Sequence, residues 1–403
     1  TCCAPDNEDN LIEMPWKDWY ENPPSPEVLQ DKFINYEKAF NLNGEYPRFM
    51  QDQTAVGGLQ WELYKILIDG FGASSHFSKY DNVQGISYST AAIALVSHQW
   101  NTTNSLAGSK NQHRSSLRNG GFLTTILIPS QSTTDNSQRL PTLWETLWMN
   151  ILPQNELNSY CGNPDKDEVK NKFPWMGPTR VSDKDGRDTF PDDEHPLTMY
   201  WATPRRVHLY FNGDTGVCSI TPNGEEALVK HFDVKPDGFN YKDWIHPLTP
   251  IRYDDKNFPI GFYKTSNNGV RYNHWLGLVQ KSQSKGANII ITSPAKIVEY
   301  YKTGRFRKRT VPHCRIVGFG FSNDNAKIES YRYGEMPLIH VAEDVVEDFE
   351  QVVKKMIDSS TQVVYHLRDC CKALVGMKAY SEKEGRFQWN TNPQKSNKES
   401  GII

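Results

Sequence analysis

Between Ser105 and Thr125 the chain gathers residue types that bind anions. Gly108, Gly120 and Gly121 stand with hydroxyls at Ser109, Ser115 and Ser116 and with cations at Lys110, Arg114 and Arg118. No carboxylate occurs between Asp81 and Asp135. Glycine lets backbone approach a ligand closely, and serine hydroxyls and free N–H groups bond phosphate oxygens. Arg114 and Arg118 lie four apart, one face of a helical turn if the stretch is helical. A solvated surface loop has the same composition, so anion binding and mere solvation are both open here. The stretch is not a nucleotide fingerprint, because neither the Gly-x-Gly-x-x-Gly nor the Gly-x-x-x-x-Gly-Lys-Ser/Thr pattern occurs.

A second cationic window runs from Lys302 to Arg315, with Lys302, Arg305, Arg307, Lys308, Arg309 and Arg315 and no acid. It leads into a strand candidate, Arg315 to Phe321, which delivers the turn Ser322 to Lys327. Asparagine and aspartate in sequence favour a tight turn, and amide side chains suit the reading of base edges. An ordinary strand-to-strand turn is the competing reading. On another loop, Phe71 to Tyr80, Phe77 sits among small polar residues as either a docking anchor or a core plug.

Catalytic chemistry finds less support. Asp192, Asp193 and His195 could begin a metal site that His246 and His274 complete, which would make a metal-dependent nuclease or hydrolase. All three histidines sit beside proline or tryptophan in apolar segments, and no His-x-x-x-His spacing supports them. A dyad of Cys314 and His313 fails because adjacent side chains seldom face each other. The residues therefore point away from an enzyme, and no cofactor or metal is expected.

The elements that must hold these stretches read as follows. Glu27 to Phe40 and Gly57 to Leu67 suggest short helices, and Leu140 to Leu152 a buried helix begun by Pro141 and Thr142. Arg206 to Phe211 alternates as a strand, and Gly213 to Gly216 reads as its hairpin turn. Past Pro337, Val341 to Met356 and Ser359 to Leu374 carry apolar stripes of two bundle-type helices. The expected class is α+β. A large mixed globular domain over 1–337 precedes a helical bundle segment over 338–380 and a polar tail over 381–403.

With 403 residues, 37% hydrophobic and 23% charged, the chain is long enough for a large core and has a soluble composition. A net charge of -3 argues against a freestanding nucleic-acid binder, though not against local basic patches inside an assembly. Eleven tryptophans, 19 tyrosines and 18 phenylalanines serve cores, interfaces and base stacking alike. Seven cysteines without a Cys-x-x-Cys make a poor disulfide framework, so reduced thiols and a cytoplasmic location are expected. No apolar stretch is long enough to span a bilayer, and no signal peptide is visible. The chain starts at Thr1, and a native beginning further upstream is expected.

Several separated segments match one family together. They include His113-Arg-Ser-Ser-Leu-Arg-Asn-Gly-Gly-Phe-Leu-Thr-Thr125, Leu143 to Leu152, Trp175-Met-Gly-Pro-Thr-Arg180, Trp201-Ala-Thr-Pro-Arg-Arg206, His246-Pro-Leu-Thr-Pro250, Tyr272 to Val279 and Gly318 to Lys327. Their order and spacing resemble the CasA family, large subunits of the type I-E CRISPR surveillance complex Cascade, over roughly residues 45 to 375. The resemblance implies a non-catalytic subunit that recognises the protospacer-adjacent motif in double-stranded DNA and begins duplex opening for guide pairing. It implies other Cascade subunits, guide RNA and target DNA as partners, together with a helicase–nuclease.

By the same resemblance, Gly108 to Gln112 (with Lys110 and Asn111), Lys256, and the wedge Asp324-Asn325-Ala326 would approach the motif. Phe77 would dock near the guide RNA. From the two acid-free cationic windows rather than the resemblance, Arg114, Arg118, Arg305, Arg307 and Lys308 are expected to grip phosphate. The glycine-rich loop is poorer in glycine than the family pattern, and the wedge carries Asn325 where glutamine is best known. Both zinc-binding cysteine pairs of some members are missing. Only about two of four bundle helices are expected, which implies a trimmed or naturally short subunit and weakens the case for helicase–nuclease recruitment. Replacing Lys110 or Arg307 with alanine is expected to lower the salt slope of DNA binding by about one unit for each lost phosphate contact, equally on all sequences. Titration of the assembled complex over a salt series checks this, and an unchanged slope in both variants removes these cations from the DNA path.

Overall fold

A computed structural model describes residues 13–54, 56–57, 59–68, 83, 85–101, 122–130, 140–163, 165, 168–182, 188–212, 228–266, 269–283, 290–302, 313–324, 327–339, 341 and 343–375. In chain order, helices α1 (Glu13–Glu21) and α2 (Pro26–Phe33) precede strand β1 (Leu59–Glu62) and helix α3 (Tyr88–Asn101). Strand β2 (Thr124–Pro129) is followed by helices α4 (Leu143–Met149), α5 (Gln154–Tyr160) and α6 (Val169–Lys172). Next come β3 (Asp188–Thr189), β4 (Arg206–Phe211), β5 (Val229–Lys235), β6 (Asn240–Tyr241), β7 (Ile251–Tyr253) and β8 (Pro259–Phe262). Helix α7 (Trp275–Val279), strands β9 (Ser282–Gln283) and β10 (Ile291–Ser293) and helix α8 (Lys296–Tyr300) lead to the long strands β11 (Cys314–Asp324) and β12 (Lys327–Leu338). Helix α9 (Val346–Val375) closes the series. The architecture is α+β, as expected from the sequence.

Two compact units emerge, one of Thr1–Arg271 with Gly277–Ile339 and one of Tyr272–Leu276 with His340–Ile403. In the first, the sheet β1-β5-β4 is packed on its inner face by α3 through Ala91, Ala94 and Leu95 against Val207, Leu209 and Phe232. Phe49, Phe173, Trp175 and Trp201 extend this core as edge-to-face and tilted rings. The indole N–H of Trp175 donates to the Ala39 carbonyl at 2.6 Å, so its polar edge is satisfied despite burial. A neighbouring core joins Leu157, Leu197, Met199, Phe239, Tyr241 and Trp244.

Several local expectations change. Residues 59–62 form β1 rather than a helix, because Trp61 pairs across from Phe232 and the sheet overrides a weak local preference. The helix expected over Glu27 to Phe40 is an α-helix only to Phe33 and continues as a 3-10 helix, Ile34–Phe40. Helix α4 begins at a full capping box between Thr142 and Glu145, but it is buried on one side only. Trp148 and Trp144 donate to the Trp16 and Trp19 carbonyls, while Leu143 and Leu147 are exposed. The turn expected after Arg206–Phe211 lies outside the described residues.

In the second unit, the two expected bundle helices are one 30-residue helix. The polar stretch Asp358-Ser-Ser-Thr361 contains neither glycine nor proline, and Thr361 returns its hydroxyl to the Ile357 carbonyl at 2.8 Å. The helix therefore runs through.

Three strands order as β12-β11-β2, all antiparallel. Their packing depends on glycine. A Cβ on Gly320 would stand 2.5 Å from the Phe122 carbonyl oxygen and closer still to the Thr265 hydroxyl, and one on Gly334 would lie 2.7 Å from the Val270 carbonyl. Gly320→Ala is expected to destabilise the chain by about 1–3 kcal/mol through overpacking against backbone. Thermal unfolding checks this, and an unchanged midpoint would mean that 122 and 265 move aside freely.

Candidate nucleic-acid interface

Strand β11 pairs with β12 along its whole length, from Cys314 opposite Leu338 to Asp324 opposite Lys327. It pairs with β2 only from Cys314 to Phe319. Gly320 to Asp324 thus run on past the start of β2 as a two-stranded hairpin, about 16 Å at 3.3 Å per residue. The turn is tighter than the six-residue segment expected from sequence, since Asp324 and Lys327 are already paired. Asn325 and Ala326 between them lie outside the described residues.

The backbone that follows the glycine-rich stretch returns at Phe122, beside this hairpin. Phe122 bridges to Lys264, Leu123 N–H donates to the Tyr263 carbonyl at 3.0 Å, and Thr125 N–H donates to the Leu248 carbonyl at 2.7 Å. Tyr263 and Lys264 directly follow β8, whose hairpin with β7 carries Lys256. In that turn Asp254 Oδ1 accepts from the backbone N–H of Lys256 at 3.0 Å and of Phe258 at 2.8 Å. Asn257 takes a positive φ of 62°, which asparagine tolerates, and Lys256 is exposed. One junction therefore anchors the end of the glycine-rich stretch, the Lys256 hairpin and the β11–β12 hairpin.

Most residues proposed from sequence lie outside the described residues: Phe77, Gly108, Lys110, Asn111, Arg114, Arg118, Arg305, Arg307, Lys308, Asn325 and Ala326. Their flanks are informative. The stretch ending at 121 joins the junction at Gly320, whereas the basic run ending at 312 enters β11 at Cys314, six residues and roughly 20 Å away. The residues that flank the two basic stretches thus meet one strand at points six residues apart.

Sequence reasoning missed an aromatic face. Phe319 and Phe321 on β11 stand across from Tyr333 and Tyr331 on β12, and both tyrosines are about half exposed, 52% and 54%. Tyr331 contacts Phe321 edge-on at 5.4 Å. The Tyr333 hydroxyl is bonded to Glu335, which raises its pKa, and Glu335 in turn pairs with Arg315. The alternation Phe-Gly-Phe from 319 to 321 was the available signal, since period two places both rings on one face.

The histidines take structural roles. His195 Nδ1 accepts from the Leu197 N–H at 3.1 Å, and His246 Nδ1 accepts from the Leu248 N–H at 3.1 Å. Each His-Pro-Leu segment thus caps its own turn, and both rings are buried. His274 belongs to the other compact unit. Among the described residues no group of three His, Cys, Asp or Glu side chains could hold a metal ion. Burial pushes the Cys314 thiol up to about 12, the opposite of what a nucleophilic dyad needs. No described helix is long and apolar enough to cross a membrane.

The family model for CRISPR-associated protein Cse1 matches residues 1–398. The chain belongs to the Cse1 family. Among solved structures, CasA from Thermus thermophilus is similar at 17% identity and a TM-score of 0.58, covering 92% of this chain and 69% of that one. Cse1 from Acidimicrobium ferrooxidans is similar at 13% identity and a TM-score of 0.60, covering 95% and 69%. A chain of a CRISPR RNA-guided surveillance complex matches at 12% identity and a TM-score of 0.55, covering 89% and 69%. At these identities the likeness establishes the Cse1 fold. No protein of curated function matches the sequence.

The caps give this Cse1 protein a direct test. His195→Asn keeps an acceptor near the Leu197 N–H and is expected to unfold close to the wild-type temperature, while His195→Ala loses about 1 kcal/mol. Equal loss in both variants, measured by thermal melts, would assign the ring's packing rather than its cap as the stabilising part.

Proposed function

We propose that this Cse1 chain is the large, non-catalytic subunit of a Cascade-type guide-RNA surveillance complex in the cytoplasm. In this role it recognises a short motif in double-stranded DNA and begins opening the duplex. The observation that carries this reading is the common junction of three hairpins or loops at Phe122, Lys264 and Gly320. Motif reading needs several short contacts held in fixed register on a rigid support, because the protein reads only a few base pairs while the guide reads the rest.

Within this reading, Gly108, Lys110 and Asn111 approach the motif from the loop that rejoins the sheet at Phe122. Lys256 adds a cation from the β7–β8 tip. Asp324, Asn325 and Ala326 wedge beside the motif. Asn325 carries both a donor and an acceptor, so it can contact base edges in either groove, and Ala326 keeps the tip narrow. Arg114, Arg118, Arg305, Arg307 and Lys308 grip phosphates on either side. Phe77 docks the subunit near the guide RNA, and neighbouring Cascade subunits hold the assembly together. A helicase–nuclease joins as a further partner.

Opening a base step costs a few kcal/mol, which a wedge offsets only where the motif holds it in place. Asn325→Ala in the assembled complex is therefore expected to bind pre-opened, bubbled targets nearly as well as wild type but to fail on intact duplex. Gel-shift titration of both substrates decides the matter. Equal loss on both would leave the turn a fold element and sink the wedge assignment.

A further inference from the structure

The β11–β12 hairpin carries four rings on one face. Residues directly opposite across antiparallel strands share a face, and Phe319 stands opposite Tyr333 as Phe321 does opposite Tyr331. Within each strand the two rings are two residues apart, so the strand period keeps them together. The other face of these strands is the packed one, where Gly318, Gly320, Ser322, Met336 and Leu338 are buried. The ring face is therefore the outer one, with Phe319 and Phe321 half-buried and Tyr331 and Tyr333 exposed.

Both tyrosines are braced. Tyr331 meets Phe321 edge-on at 5.4 Å and Phe319 at a tilt, with centroids 6.4 Å apart. Tyr333 donates its hydroxyl to one oxygen of Glu335, whose other oxygen takes Arg315. Side chains already fixed lose less freedom when a ligand arrives.

Spacing and charge say what such a pair can hold. Rings at i and i+2 on a strand stand about 6.7 Å apart. Bases in a duplex follow one another at about 3.4 Å along each strand, half that distance. Two neighbouring bases can each take a ring only when their strand is unpaired and drawn out. Every base has a π-face, so a platform of this kind tolerates any sequence. Arg315 and Glu335 neutralise each other, and Glu329 is a further exposed acid on β12, so this face offers stacking rather than phosphate attraction.

Position selects the occupant. The Phe321–Tyr331 pair lies beyond the last β2 partner, which is at Phe319, and three residues before Asp324, where the hairpin closes on Lys327. That is about 10 Å, or roughly three nucleotides of a strand that starts at the tip. The geometry points to a stacking platform for single-stranded DNA, in which the first bases freed at the hairpin tip lie on Tyr331 and Tyr333. The choice of the freed strand rests on the duplex-opening reading above; the affinity of the rings for unpaired bases does not.

Fluorescence-anisotropy titration of the full-length chain tests the platform with labelled oligothymidylate of about 12 nucleotides, an abasic DNA of the same length and the matching oligouridylate. The abasic strand keeps every phosphate and is expected to bind about fivefold weaker or more, with oligouridylate no tighter than oligothymidylate. Tyr331→Ala and Tyr333→Ala are each expected to weaken oligothymidylate about fivefold or more at an unchanged salt slope, because no phosphate contact is lost. Tyr331→Phe keeps the ring and is expected to bind as wild type. Tyr331→Leu keeps apolar bulk without the ring, is expected to bind as weakly as the alanine variant, and serves if that variant unfolds.

Equal binding of the abasic strand overturns the proposal, as does affinity that loss of either ring leaves unchanged. A salt slope that falls with the tyrosines would assign them to phosphate instead. Tighter binding of oligouridylate would give the face to the guide RNA, and loss of assembly into the complex with oligonucleotide affinity intact would give it to a protein neighbour. The isolated chain reports on stacking, while the bubble-against-duplex comparison in the assembled complex reports on opening, so either can fail alone.

Discussion

The close approach at residue 320 holds three segments of this molecule together. The Phe122 carbonyl and the Thr265 hydroxyl occupy the space where a side chain would stand, and that intrusion lets three segments distant in sequence meet on one strand. Gly334 and Gly318 continue the same arrangement along the sheet, where Val270 crosses them. Interiors are close-packed, so a contact this tight fixes register as well as proximity. The Lys256 hairpin, the return of the chain at Phe122 and the β11–β12 hairpin are thereby held as one body.

What could be seen in the sequence depended on how far each interaction reaches along the chain. The strand Arg206–Phe211 and the cap at Thr142 are local patterns, and both occupy the expected places. Strand β1 is hidden in the sequence because Leu59-Gln-Trp-Glu62 fits a helical spacing as well as an alternating one, and its partner lies about 170 residues away. The apolar stripes of Val341 to Met356 and Ser359 to Leu374 suggest two helices, yet nothing between them prevents helical backbone, and one helix runs through. At the candidate interface, the cationic stretches and the Asn-Asp-Asn turn were evident as composition. The meeting of Phe122, Lys264 and Gly320 was not, because no local rule brings residues so far apart together.

Arg252 is fixed by backbone pairing to strands on both sides, Thr292 and Gly261, so its stem begins from a rigid ladder. His195 and His246, by contrast, use their Nδ1 lone pairs to accept from their own backbone.

Strand β12 is, with β2, an outer strand of its sheet among the described residues, and a row of backbone donors and acceptors on such a strand invites pairing with a second molecule. The chain answers this along the strand itself. A register shift between Ser322 and Asn323 bends the pair near the tip, Pro337 withholds a donor near the far end, and Glu329, Arg332 and Glu335 place charge between them. The long hairpin is therefore poorly suited to seed sheet-to-sheet aggregation, and a protein that must present an extended β-ribbon at its surface can do so without adding strands from its neighbours.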